Sequence, residues 1–158
     1  MKSIVAGLMT IGVLGCAQFT SVNPLSLEDN QRIYIHNYDT TWWVVLEVLN
    51  HHDLPITTME KKEGNIATDF VVVNPNQSSN VCPTRKVFEK VLGARYKLTV
   101  SVRSMEEKTR VIINAHHERL SQSAGVVGAE DSPTWKPQKC PNMIESQLFS
   151  EIGSMLSQ

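Results

Sequence analysis

Two facing runs of strict alternation constrain this chain more than any other feature. Tyr96, Leu98, Val100 and Val102 are apolar, and Lys97, Thr99, Ser101 and Arg103 between them are polar. Further on, Val111, Ile113 and Ala115 alternate with Arg110, Ile112 and Asn114. Successive side chains of a strand point to opposite faces, so each run buries one face and leaves the other wet. Met105-Glu106-Glu107-Lys108 lies between the runs as a polar turn. The pattern predicts a long antiparallel hairpin, solvated on one face.

The layer over the hairpin's buried face is expected to be helical. Trp42, Val45, Leu46 and Leu49 recur at i, i+3, i+4 and i+7, which makes one apolar helix face. Asp39 is the expected N-cap, the helix runs to about Asn50, and Pro55 is its stop. Trp43, Val44 and Val48 form a second, partly apolar face, suited to packing under a loop or to a partner. Near the other end, Asn142 and Glu145 have capping-box spacing. They precede a helix that would bury Ile144, Leu148, Phe149, Ile152, Met155 and Leu156.

Between and before these, Arg32–His36, Ile56–Glu60 and Asn65–Val73 read as strands, with Lys61–Gly64 as a turn. Ile66, Thr68 and Phe70 share one face of the third. Asn74–Asn80 is expected to be a loop, Arg85–Leu92 a short helix or an ordered loop, and residues 121–139, with Gly125, Gly128, Pro133 and Pro137, a loop. The order is β-α-β-β-β-β-α. It predicts a two-layer α+β domain whose antiparallel sheet curls round the C-terminal helix.

The N-terminus carries a different kind of signal. Lys2 precedes an apolar run from Ile4 to Leu14, followed by Gly15-Cys16. That run is short of the roughly 20 apolar residues a bilayer-spanning helix needs, and matches a secretory signal. Val13-Leu14-Gly15-Cys16 resembles the bacterial lipobox. The resemblance implies a diacylglyceryl group on the Cys16 thiol, cleavage before it and acylation of the new amine. Two or more acyl chains hold a protein stably on a membrane, whereas one does so only marginally. Residue 17 is Ala and not Asp, which by resemblance to enteric lipoproteins implies the outer membrane, with the domain facing the periplasm. The expected organisation is a signal peptide over 1–15, a lipidated cysteine and flexible tether over 16–30, and one domain over 31–158.

Lys2 is the only charged residue of that signal, so 14 basic residues face 16 acidic ones after cleavage, a net charge of −2 with His neutral. No basic excess points to nucleic acid. Two cysteines then remain, Cys82 and Cys140, and an even count in an oxidising compartment reads as a disulfide. Each precedes a proline and is expected in a loop. The bridge would pin the segment before the hairpin to the start of the last helix.

Asp39-Thr40-Thr41-Trp42 through Val48-Leu49, then Pro55-Ile56, then Lys62-Glu63-Gly64-Asn65-Ile66-Ala67-Thr68-Asp69-Phe70, is similar to the helix-grip units of the BamC family of outer-membrane assembly lipoproteins. The shared pattern is a Trp early in a helix, a Leu seven residues on, a charged-Gly turn and Ile-x-Thr-Asp-aromatic. Lys97-Leu98-Thr99-Val100 and Thr109-Arg110-Val111 fit the same hairpin. The resemblance covers about residues 31–157. It implies a single helix-grip domain, where the family has two, and residues 17–30 lack its long partner-gripping segment. The two-cysteine layout is closer to a group of uncharacterised single-domain bacterial lipoproteins.

No GxSxG, HExxH, P-loop or Rossmann glycine pattern occurs, and neither cysteine has metal-ligand spacing. No enzyme activity, cofactor or metal is expected. The pairs His51-His52 and His116-His117 are the sharpest titratable clusters, and His116 and His117 must point to opposite faces of a strand. Trp43 and Trp135 are the candidate partner contacts. The expected function is that of a membrane-anchored scaffold, bound through its lipid and to an envelope protein complex, in a setting such as outer-membrane protein assembly. The alternative is a binder of a small apolar or lipid ligand between sheet and C-terminal helix. Leu98, Val100, Val102, Val111, Ile113, Phe149 and Ile152 are large enough to fill that space, which favours the scaffold.

Overall fold

The computed structural model describes residues 29–73, 82, 89–123 and 132–158. The signal segment, Cys16, the tether to residue 28 and the Asn74–Asn80 loop lie outside them. The described chain is an α+β fold with strands β1 (Gln31–Tyr34), β2 (Ile56–Glu60), β3 (Asn65–Thr68), β4 (Val71–Val73), β5 (Glu89–Met105), β6 (Lys108–Ser123) and β7 (Thr134–Gln138). The helices are α1 (Tyr38–His51) and α2 (Met143–Leu156). All the strand pairings are antiparallel.

The β5–β6 hairpin is the spine of the sheet. Leu98 pairs with Ala115, Val100 with Ile113 and Val102 with Val111, so the inward side chains of both arms meet directly across the ladder. β1 and β7 pair with successive stretches of β6, and β3 and β4 with successive stretches of β5. β2 pairs with β3 and ends the sheet. Both helices lie on the inner face, where Trp42, Val45 and Leu49 of α1 and Leu148, Phe149 and Ile152 of α2 close over the hairpin.

The hairpin arms run farther than alternation foretold. Residues 89–92 belong to β5 and not to a short helix. A register shift between Val91 and Gly93 inserts Leu92 as an extra residue, and such a bulge hides the strand's period of two. The Asn65–Val73 strand is split at Asp69 and Phe70. There the Leu98 N–H donates to Thr68 Oγ1 at 2.9 Å, and Asp69 N–H donates to Pro55 O. β7 replaces part of the expected 121–139 loop. Its Pro137 lacks a donor, which an edge strand tolerates.

The caps also differ from expectation. Asn37, not Asp39, caps α1, accepting the Thr40 N–H at 2.8 Å. Asp39 sits in the first turn, where its charge suits the helix dipole. At the far end Asp53 takes φ 51°, its N–H bonds to Asn50 O, and Leu54 N–H bonds to Leu49 O. That is a Schellman turn, and the buried Leu54 and Leu49 supply its apolar contact. Asn142 makes no side-chain cap on α2. Glu145, its expected capping-box partner, turns inward instead. Its Oε1 accepts the Ala115 N–H at 3.1 Å, in the gap on β6 between the stretches paired with β1 and β7.

Gly64 ends the turn between β2 and β3 at φ 63°. Its carbonyl accepts the Val102 N–H at 2.7 Å, and a Cβ there would collide with Val102 O. Conformation and close approach both demand glycine. Cys82 and Cys140 are bonded, with Cα atoms 5.1 Å apart. The bridge joins the segment before β5 to the short link between β7 and α2.

Candidate functional site

β2 is a sheet edge, and α1 runs beside it. Trp43, Leu46, Glu47 and Asn50 project from one side of α1, at helical spacing, toward Ile56, Thr57 and Met59 of β2. Together they line an open groove of about 630 Å³. Trp43 is 61% exposed and Met59 59% exposed, although both are large and apolar. Leu46 is buried at the groove's base. The outer backbone edge of β2 pairs with no strand among the described residues. A bulge between Ile56 and Thr58 interrupts its inner register, where Thr57 Oγ1 donates to Ala67 O at 3.2 Å.

One end of the groove is braced by polar contacts. Lys61 Nζ lies 5.1 Å from the Trp43 ring centroid and 2.8 Å from Asp39 Oδ1. Tyr38 Oη donates to Lys61 O, and the Tyr38 ring stacks on Trp42 at 6.0 Å. Trp43 is thereby presented on the helix surface with its cationic neighbour fixed. The groove offers apolar surface, a cation–π contact and a strand edge with no partner among the described residues, which suits an extended polypeptide segment.

Trp135 stands differently. It is on β7, opposite Leu120, above the outer face of the sheet. Arg95 packs between rings, 4.2 Å from the Trp135 centroid and 4.1 Å from that of Phe70. Arg95 also bridges to Glu118 at 2.5 Å. The hydrogen bond from Arg95 is the main cause holding the Glu118 carboxyl below its usual range. The indole also lies over Gly93, where its Cη2 would stand at van der Waals distance, 3.7 Å, from a Cβ. The ring is therefore engaged within the fold, while Trp43 is the more open of the two tryptophans.

His116 is exposed and His117 buried, on opposite faces. His117 lies 5.9 Å from the Tyr96 ring, and burial lowers its pKa, opposed by the charge of Glu145 and reinforced by His116. The other pair lies elsewhere. His51 and His52, at the end of α1, meet Glu151 of α2. Burial works to raise the Glu151 carboxyl, but hydrogen bonds from His52 and Gln147 outweigh it and hold the group below its ordinary value. Sequence reasoning could name this histidine pair but not its acidic neighbour, which is 99 residues from His52. The groove was only partly visible in the sequence: Trp43 stood out, while Met59 and Ile56 carried no signal until β2 was placed at the edge.

No protein-family model matches the chain, and no curated protein matches it. Among the described residues no helix is long and apolar enough to cross a membrane.

Proposed function

We propose that this chain is a non-enzymatic envelope lipoprotein, held at the outer membrane by lipid on Cys16, that docks a partner protein in the α1–β2 groove. The observation that carries the docking face is the joint exposure of Trp43 and Met59 beside the outer edge of β2, which pairs with no strand among the described residues. An extended apolar segment of the partner would lie between them, with backbone groups of β2 available to pair. Aromatic anchors in an otherwise polar surface are typical of binding hot spots. The BamC-like pattern supports an outer-membrane assembly complex as the setting, and the lipobox-like Val13-Leu14-Gly15-Cys16 supports the anchor.

An apolar ligand between sheet and α2 is the weaker reading. Leu98, Val100, Val102, Val111 and Ile113 are almost fully buried in one cluster with Phe149, Ile152 and the apolar face of α1, so packed side chains fill the inner face.

A photo-crosslinking residue placed at Met59 or Trp43, in cells, is expected to yield an adduct with one envelope protein. The same residue at Lys97, on the outer face of the sheet, is expected to yield none. Trp43→Asp should weaken the adduct from Met59. Equal adducts from Lys97, or none from the groove, would overturn the docking face. Cys16→Ser should release the domain from membranes or leave the precursor uncut, and a normally sized, anchored product would sink the lipoprotein reading.

A further inference from the structure

The C-terminal end of α1 meets α2 where three ligand-type side chains converge. His51 is the last residue of α1, and His52 is its C-cap. Glu151 Oε2 lies 2.7 Å from His52 Nε2 and 3.9 Å from His51 Nδ1. One ligand atom from each residue falls within 4.8 Å of the other two. The convergence is built by the fold. The Schellman turn at Asp53 and the burial of Leu54 fix the direction in which α1 ends. From α2, Gln147 Nε2 donates to Glu151 Oε1 at 3.2 Å, which leaves Oε2 to the imidazoles.

We propose that His51 Nδ1, His52 Nε2 and Glu151 Oε2 form a binding site for a divalent transition-metal ion of the zinc class. Two imidazole nitrogens and one carboxylate oxygen are a donor set that zinc takes, at about 2.0–2.2 Å. Calcium and magnesium prefer oxygen donors and are disfavoured by two nitrogens. Those bond lengths put tetrahedral donors about 3.3–3.5 Å apart, so the 2.7 Å pair must open by about 0.6–0.8 Å, the 3.9 Å pair must close by about half an ångström, and the two imidazole nitrogens, within 4.8 Å of each other, must reach the same spacing. Rotation of the His51 side chain, which is 81% exposed, brings its nitrogen in, while the partly exposed His52 and Glu151 side chains part to admit the ion. The entering ion displaces any proton held between His52 and Glu151, since metal ligands bind deprotonated. The Gln147 amide then acts as the outer contact that orients the carboxylate. The open side at His51 leaves the fourth position to water or to a donor from another molecule. The bound ion would tie the end of α1, one residue beyond the groove-lining Asn50, to α2.

The test uses the purified full chain in detergent, without a histidine tag and freed of metal by a chelator that is then removed. Zinc titrated calorimetrically is expected to bind once per chain and to raise the thermal midpoint, because a ligand of the folded state stabilises it. Cobalt in its place is expected to give the visible absorption of a low-coordinate site. His51→Ala, His52→Ala and Glu151→Gln should each weaken zinc by about tenfold or more, while His116→Ala should leave affinity unchanged. His51→Ala removes an exposed side chain, so it tests the site without disturbing the helix contact. Absence of one-to-one zinc binding, or affinity unchanged in His51→Ala and Glu151→Gln, would overturn the proposal.

Discussion

At the residue scale, single polar groups complete the main-chain pairing where strands stop. Thr68 Oγ1 takes the Leu98 N–H where β3 gives way to β4, and Glu145 Oε1 takes the Ala115 N–H between β1 and β7. Thr68 is buried, so its Val variant would strand a buried donor without changing shape. Thr68→Val is expected to cost about 1–3 kcal/mol in urea unfolding, with Thr68→Ser recovering most of it. His117 adds a pH dependence. Burial sets its folded pKa below the ordinary 6.5, so the unfolded chain binds the proton more readily. Its contribution is complete above that unfolded value and is lost as pH falls through it toward the folded one. The thermal midpoint should therefore drop on acidification from about pH 7.5 to about pH 5.5, and the drop should shrink in His117→Gln. Strand alternation was enough to put His116 and His117 on opposite faces; that His117 is the buried one, beside Glu145 and Tyr96, comes from the structure, because those neighbours belong to other elements.

At the element scale, the helices show where local signals compete. The apolar face of α1 was legible from Trp42, Val45, Leu46 and Leu49, since helical spacing alone makes a face. Its caps were not, because Asn37 and Asp39 are both good N-cap residues and the chain path from β1 decides between them. The same holds for Glu145, which the β6 gap draws away from Asn142. Asp53 offers a direct test. A left-handed conformation costs a non-glycine residue roughly 1–2 kcal/mol, and a negative charge beside a helix C-terminus is unfavourable too. Asp53→Gly should stabilise the protein by about 1 kcal/mol after the extra entropy of an unfolded glycine is deducted, read as a higher urea midpoint.

At the scale of the whole molecule, the long hairpin organises everything else, with short strands tiled along both arms and two helices on its inner face. The Cys82–Cys140 bridge closes a separation of 58 residues that contains the whole hairpin. In the chain-entropy account such a loop stabilises by about 4 kcal/mol, acting chiefly on the unfolded chain. Paired Cys82→Ser and Cys140→Ser substitution should lower the unfolding free energy by up to about that amount, measured by denaturant titration under oxidising conditions. The same long-range arrangement makes β2 an edge and turns Trp43, Met59 and Ile56 into one groove.

By itself the sequence determined the class of fold: an α+β chain with an antiparallel sheet, a polar outer hairpin face and apolar helices to cover the inner one. Periodicity carries that information because burying one face of a strand or helix is a local requirement, written every two or every three to four residues. Tertiary structure alone decided the split of Asn65–Val73 into β3 and β4, the recruitment of Thr134–Gln138 as β7, and the meeting of His51 and His52 with Glu151. These depend on which distant segment supplies a hydrogen-bond partner or a neighbouring charge, and no local pattern in the chain encodes that choice.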